Sequence, residues 1–123
     1  MASRRAVLVV ARPSPLRDSL TTLLMTIPRI SAVRHADGAA AGYHLVEVTR
    51  PSIVVLDASL PGGEAWALLR SIKARWPHIV CVMLTDTTRS RDRAEAAGAT
   101  QAFLKGYPAA KLSKMLEQLL GRT

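Results

Sequence analysis

The residues Ile53-Val54-Val55-Leu56 form a run with no polar alternation, introduced by Pro51-Ser52 and closed by Asp57. A strand buried on one face alternates apolar and polar side chains. An unbroken apolar run of this length therefore reads as a strand covered on both faces, as in a parallel sheet sandwiched by helices. Two further runs share this character, Ala6-Val7-Leu8-Val9-Val10 and Ile79-Val80-Cys81-Val82-Met83-Leu84. Asp57 then lies at the carboxyl end of its strand, where open α/β sheets present side chains to a ligand crevice. It reads either as a functional carboxylate or as a cap for the next helix. Pro61-Gly62-Gly63 separates it from that helix, which favours the functional reading.

Between the apolar runs the pattern turns helical. Ala11-Arg12-Pro13-Ser14-Pro15 is a breaker-rich loop; beyond it Leu16, Leu20, Leu23 and Leu24 recur at helical spacing up to Pro28, with Ser14 as N-cap and Pro15 as first helical residue. Ile30 to His35 reads as a weaker strand, and Asp37-Gly38 opens a small-residue helix carrying Tyr43, Leu45, Val46 and Val48 that stops before Pro51. Glu64 to Trp76 is a helix with Ala65, Leu69, Ile72 and Trp76 on one face; both Trp66 and Trp76 read as packing residues. After Thr85-Asp86 a charged helix runs from Thr88 to Ala97 and turns at Gly98-Ala99 into a short strand, Ala102-Phe103-Leu104, ending in Lys105. Ala109 to Leu120 is the final helix, with Leu112, Met115, Leu116, Leu119 and Leu120 inward.

Five strands alternating with five helices make one parallel sheet with helices on both faces, by the right-handed crossover rule. The expected architecture is a flavodoxin-like (βα)5 three-layer sandwich of strand order 2-1-3-4-5, its ligand crevice at the carboxyl ends of the first and third strands. It forms a single domain over residues 1–123, a length that supports one core and not two.

Composition removes several function classes. With 49% hydrophobic and 21% charged residues the chain is an ordinary globular protein. The single cysteine, Cys81, lies inside an apolar run, which removes disulfide frameworks and zinc clusters and fits a reducing cytoplasm. No segment approaches the ~18 uninterrupted apolar residues of a membrane span. Arg4-Arg5 precede only a short run without a cleavage site, so the expected location is the cytoplasm, with no membrane contact. The net charge of +8 raises affinity for nucleic acid or acidic surfaces. However, the basic residues are scattered from Arg4 to Arg122, and the one cluster, Arg89, Arg91 and Arg93, has no interleaved aromatic to stack on a base. A solvated arginine-rich surface is the preferred reading over a nucleic-acid site.

The topology gathers Asp57, Thr85 and Lys105, from the ends of the central strands, into one crevice. Their chemistry is coherent: a carboxylate can attack phosphorus, while a hydroxyl and an ammonium can bind the oxygens of the phosphoryl group it accepts. Leu56-Asp57-Ala58-Ser59-Leu60-Pro61-Gly62, Met83-Leu84-Thr85, and Gly98-Ala99 with Phe103-Leu104-Lys105 together resemble the receiver domain of bacterial two-component response regulators, over essentially the whole chain. The resemblance implies that Asp57 is the phosphoacceptor, Thr85 the switch hydroxyl and Lys105 the phosphate-binding lysine. It also places Arg17 where many members carry a basic residue on the first helix. It implies no enzyme activity, a sensor histidine kinase or other signalling protein as partner, an output domain in a longer chain, and homodimer pairing through the fourth helix, fifth strand and fifth helix. The tail Gly121-Arg122-Thr123, directly after the last helix, suits a truncation.

Three departures qualify the resemblance. Where the family places two adjacent acids that help hold a divalent metal, this chain has Ala11-Arg12. Mg²⁺ needs oxygen ligands, so a guanidinium in place of a carboxylate deletes a ligand and adds a positive charge; Mg²⁺ at Asp57, and metal-assisted phosphorylation there, are expected to be impaired. Asp86 follows Thr85 where the family favours a small residue. Ala102 stands where an aromatic switch residue is common, with Phe103 one position later and facing the opposite side of the sheet. Arg12 reads either as a partner of Asp57 in place of the metal, with Asp86 competing for the same arginine, or as a side chain that points into solvent.

Two alternative functions remain from the residues. An aspartyl-nucleophile phosphotransferase or phosphatase resembles the haloacid-dehalogenase arrangement of Asp, Thr and Lys, but that family carries a second acid two positions after its nucleophile, where this chain has Ser59. A basic nucleic-acid-binding module is the other. For pairing between copies, Arg89, Arg91, Arg93, Lys111 and Lys114 are opposed only by Asp92, Glu95 and Glu117, so self-association requires well-registered ion pairs.

Overall fold

The structure, a computed structural model, describes residues 5–121. Arg4 and the Arg122-Thr123 end lie outside the described residues. The elements are β1 (Arg5–Val10), α1 (Pro15–Met25), β2 (Ile30–Ala36), α2 (Ala39–Thr49), β3 (Ile53–Asp57), a 3-10 turn (Pro61–Gly63), α3 (Glu64–Arg75), β4 (Val80–Thr85), α4 (Thr88–Ala96), β5 (Gln101–Leu104) and α5 (Ala109–Leu120). All strand pairs are parallel, in the order β2-β1-β3-β4-β5. The three apolar runs are its central strands.

Their lack of polar alternation has the expected cause. Leu8, Val10, Val54, Leu56, Cys81 and Met83 pack on one side of the sheet with Val46, Leu69, Ile72 and Ala94 from α2, α3 and α4. Val7, Val9, Ile53, Val55, Val82 and Leu84 pack on the other with Leu20 and Leu24 of α1 and Leu116 and Leu119 of α5. Successive side chains of a strand point to opposite faces, so each must be apolar when both faces are covered. Burial pushes the Cys81 thiol up to about 11, partly opposed by Lys73, which makes it an inert packing residue.

The helix boundaries follow local chemistry. Ser14 accepts the Arg17 N–H at 3.1 Å as N-cap of α1, with Pro15 in the first turn. The buried face of α3 is wider than a single stripe, since Trp66 and Leu68 are buried with Ala65, Leu69 and Ile72; the helix stops at Arg75, leaving Trp76 as its C-cap residue. Both tryptophans are buried, and arginines cover them: Arg50 and Arg75 lie 5.0 and 4.6 Å from the Trp76 ring, and Arg93 lies 4.1 Å from that of Trp66. Arg93 therefore folds back onto α3, which removes it from the basic set expected on the α4, β5 and α5 side.

Candidate functional site

β3 delivers Asp57 to the carboxyl edge of the sheet, opposite Leu84 of β4, and the ladder continues one residue further through Ala58 N–H to the Leu84 carbonyl at 2.9 Å. The chain then turns sharply. The backbone N–H and hydroxyl of Ser59 both donate to Asp57 Oδ1, at 2.9 and 2.7 Å. This local bond is what an aspartate two residues ahead of a serine can make. Gly62 and Gly63, at φ 69° and 67°, carry the chain through the left-handed region into α3, so Asp57 does not cap that helix.

Lys105 arrives from the other side. Thr85 pairs with Leu104, and the Lys105 N–H bonds to the Thr85 carbonyl at 2.9 Å, anchoring the lysine one residue past β5. Its ammonium lies 2.9 Å from Asp57 Oδ1 and 3.3 Å from Asp86 Oδ1, and it donates to the Ser59 hydroxyl. Burial pushes the Asp57 carboxyl up, but the hydrogen bonds from Lys105 and Ser59 outweigh it, and the group is held below its ordinary value of 3.8. At Lys105 burial favours the neutral amine, and the bonds to Asp57 and Asp86 overcome it, raising the ammonium above 10.5.

Of the three strand-end groups, Asp57 and Lys105 meet and Thr85 does not join them. Thr85 is fully buried and its hydroxyl donates to the Phe103 carbonyl at 3.0 Å. A buried hydroxyl without a partner is costly, and the neighbouring strand supplies that partner. Of the two readings of Arg12, the pair with Asp57 does not form and the solvent-facing one holds. Arg12 is exposed, and the cation on Asp57 is Lys105. The reason is anchorage: the sheet ladder holds the Lys105 backbone, whereas Arg12 sits on a loop, and with Lys105 and Ser59 in place Oδ1 already accepts three donors. Asp86, expected to compete for Arg12, pairs with Lys105 instead. Ala102 is buried on the α3 side of the sheet, and Phe103 faces the α1 and α5 side, its ring 4.9 Å from that of Tyr107, as strand alternation requires.

The loops around this edge are tied to one another by protein groups. The Arg17 guanidinium donates from Nη1 to the Ala11 carbonyl at 3.1 Å and to Asp37 Oδ1 at 2.6 Å, joining the loops after β1 and β2. Gly38 has no side chain to cap α2, and Glu64 Oε1 accepts the Ala39 N–H at 3.3 Å, joining the loops after β2 and β3. A divalent ion fits poorly here. Mg²⁺ demands several oxygens in near-octahedral array, whereas Ala11 offers only a carbonyl already bonded to Arg17, and position 12 is a guanidinium. Among the described residues no group of three or more His, Cys, Asp or Glu could hold a metal ion.

In the sequence Ser59 stands out only as the position of a missing acid. The signal for its role was the Asp-x-Ser spacing, which favours a side-chain turn. The Arg17–Asp37 and Glu64–Ala39 ties carry no such local signature.

Residues 7–117 match the sequence profile of the response regulator receiver domain. The chain is 30% identical over 105 residues to the DNA-binding transcriptional activator DevR/DosR of Mycobacterium tuberculosis, covering 84% of this chain and 48% of that protein. It is 33% identical over 105 residues to a protein-glutamate methylesterase/protein-glutamine glutaminase of Cereibacter sphaeroides, covering 83% of this chain and 29% of that protein. It thus spans half or less of the length of these curated relatives. Among solved structures, a two-component response regulator of the LuxR family from an Aurantimonas species superposes with a TM-score of 0.86 at 26% identity, over 97% of this chain and 87% of the other. The receiver domain of NtrX from Brucella abortus gives 0.85 at 26%, over 95% and 99%.

Proposed function

Because the chain belongs to the response regulator receiver domain family, whose members work in phosphorelay signal transduction, we propose that it is an atypical receiver in which Asp57 occupies the phosphoacceptor position but serves chiefly as an ion-pair partner. Receiver domains of this family typically bind Mg²⁺ for phosphorylation; here that step is impaired and signalling runs mainly through protein–protein contacts. The observation that carries this reading is the saturation of Asp57 Oδ1 by Lys105 and Ser59, beside a loop that offers Ala11 and Arg12 where two acids would draw in a metal. A carboxylate whose charge is already neutralised by fixed donors attracts a divalent ion weakly and attacks phosphorus slowly.

Receiver domains interact with sensor histidine kinases and are often linked to output domains. For this chain the proposed partners are a sensor kinase or another signalling protein, with an output domain elsewhere in a longer chain and a second copy docked on α4, β5 and α5. The single receiver domain over residues 1–123 has no enzyme activity of its own in this reading, and it works in the cytoplasm. Among the described residues no helix is long and apolar enough to cross a membrane.

The experiment is exposure to a small phosphodonor with and without Mg²⁺, read by intact mass, alongside Mg²⁺ titration. The native chain should show negligible Mg²⁺ affinity and little adduct. Ala11→Asp with Arg12→Asp should raise both, with Asp86 limiting the recovery. Ready metal-dependent phosphorylation of Asp57 in the native chain would overturn the reading.

A further inference from the structure

An ammonium has three N–H donors. The Lys105 ammonium donates to Ser59 Oγ and lies within ion-pair distance of Asp57 Oδ1 and Asp86 Oδ1, so an anion arriving at Asp57 competes with these oxygens for it. The weakest hold is Asp86. Its contact is the longer of the two ion pairs, at 3.3 against 2.9 Å, and its side chain is 60% exposed against 17% for Asp57. Water readily replaces an exposed carboxylate's partner, and such pairs contribute little.

The position of Asp86 gives its release a consequence. It directly precedes Thr87, whose hydroxyl accepts the Ser90 N–H at 3.1 Å and so caps α4. That helix buries little of its surface: Ala94 is its one buried residue, and Arg93 stacks on Trp66. Elements with few buried contacts open locally at low free energy. Thr85, next to Asp86, is bonded to Phe103 and does not reach Asp57.

We infer that Asp86 is a latch: through Lys105 it ties the head of α4 to the acceptor site, and capture of Lys105 by an anion at Asp57 frees Asp86 and loosens α4. Asp86 thus positions Lys105 in the resting state and couples that site to the α4 surface. This deepens the receiver reading and rests on it.

The test needs neither phosphodonor nor metal, so its failure is distinguishable from failure of that reading. Hydrogen exchange across α4 is measured by mass spectrometry in the native chain, Asp86→Asn, Lys105→Met, the double variant and Asp57→Asn. Asp86→Asn and Lys105→Met should each speed exchange in α4 about two- to fivefold, the range expected for losing one largely exposed ion pair. The double variant should go no further, because both changes cut the same tie. Asp57→Asn leaves Lys105 to Asp86 and should hold α4 at or below the native rate. An effect of Asp86→Asn without one of Lys105→Met would mean that Asp86 acts only on the helix dipole, and would overturn the inference. So would additive effects, native exchange in both single variants, or faster α4 exchange in Asp57→Asn. Exchange in β1 and β3 reports global unfolding and separates it from local release.

Discussion

Gly42 lies in the middle of α2, where glycine costs a helix about 1 kcal/mol relative to alanine, so Gly42→Ala would ordinarily be stabilising. The surroundings reverse that sign. A Cβ there would fall 3.0 and 3.2 Å from the two methyls of Val10 and 3.1 Å from Leu68 Cδ2. Val10 is fully buried and Leu68 nearly so. Because the new carbon meets both valine methyls, rotating the stiff β-branched side chain cannot clear them, and α2 must lift from β1. Overpacking of this kind costs about 1 to 3 kcal/mol, so after the helix gain the variant should lose up to roughly 2 kcal/mol. Urea unfolding should show a midpoint lower by up to roughly 1 M with an unchanged slope. The double variant with Val10→Ala should cost less than the sum of the two single changes, since the smaller residue vacates the contested space. A stabilising Gly42→Ala, or strict additivity, would refute the close approach of α2 that also brings the Ala39 N–H within reach of Glu64.

Asp57 is held below its ordinary value of 3.8 when folded, so its bonds contribute stability that is present above that pH and is lost as pH falls through the folded-state value. Asp57→Asn should therefore be less stable at neutral pH and flatter on the acid side, in urea midpoints followed between about pH 2 and 7; an unchanged acid limb would contradict the pairing. Val55→Ala and Val82→Ala, at positions 2% and 0% exposed, should each cost on the order of 1 to 3 kcal/mol in the same assay, and neutrality of both would refute their burial in the central strands. Sedimentation at low and high salt tests pairing through α4, β5 and α5, where Arg89, Lys111 and Lys114 are exposed; an unchanged monomer at high concentration in both would count against a homodimer.

The strands and helices were legible in the sequence because their causes are local. An unbroken apolar run such as Ile53 to Leu56 has one economical burial, between two helical layers, and Ser14-Pro15 or Asp37-Gly38 announce a helix start within a few residues. Strand alternation likewise puts Ala102 and Phe103 on opposite faces. Even the Ser59 bond to Asp57 is local, within an Asp-x-Ser spacing. What no window of sequence holds is which cation meets Asp57. Strand order brings Lys105 to the crevice that holds Asp57, and Arg12 stands on the loop after the first strand, beside the same crevice. Only the β4–β5 register, which anchors Lys105 on the Thr85 carbonyl, and the burial of the Thr85 hydroxyl against Phe103 decide the matter. The same holds for the Arg93 stack on Trp66 and for Glu64 at the start of α2. Ion pairs and caps between elements depend on distances of a few tenths of an ångström at the ends of long side chains, and those distances exist only once the helices have packed.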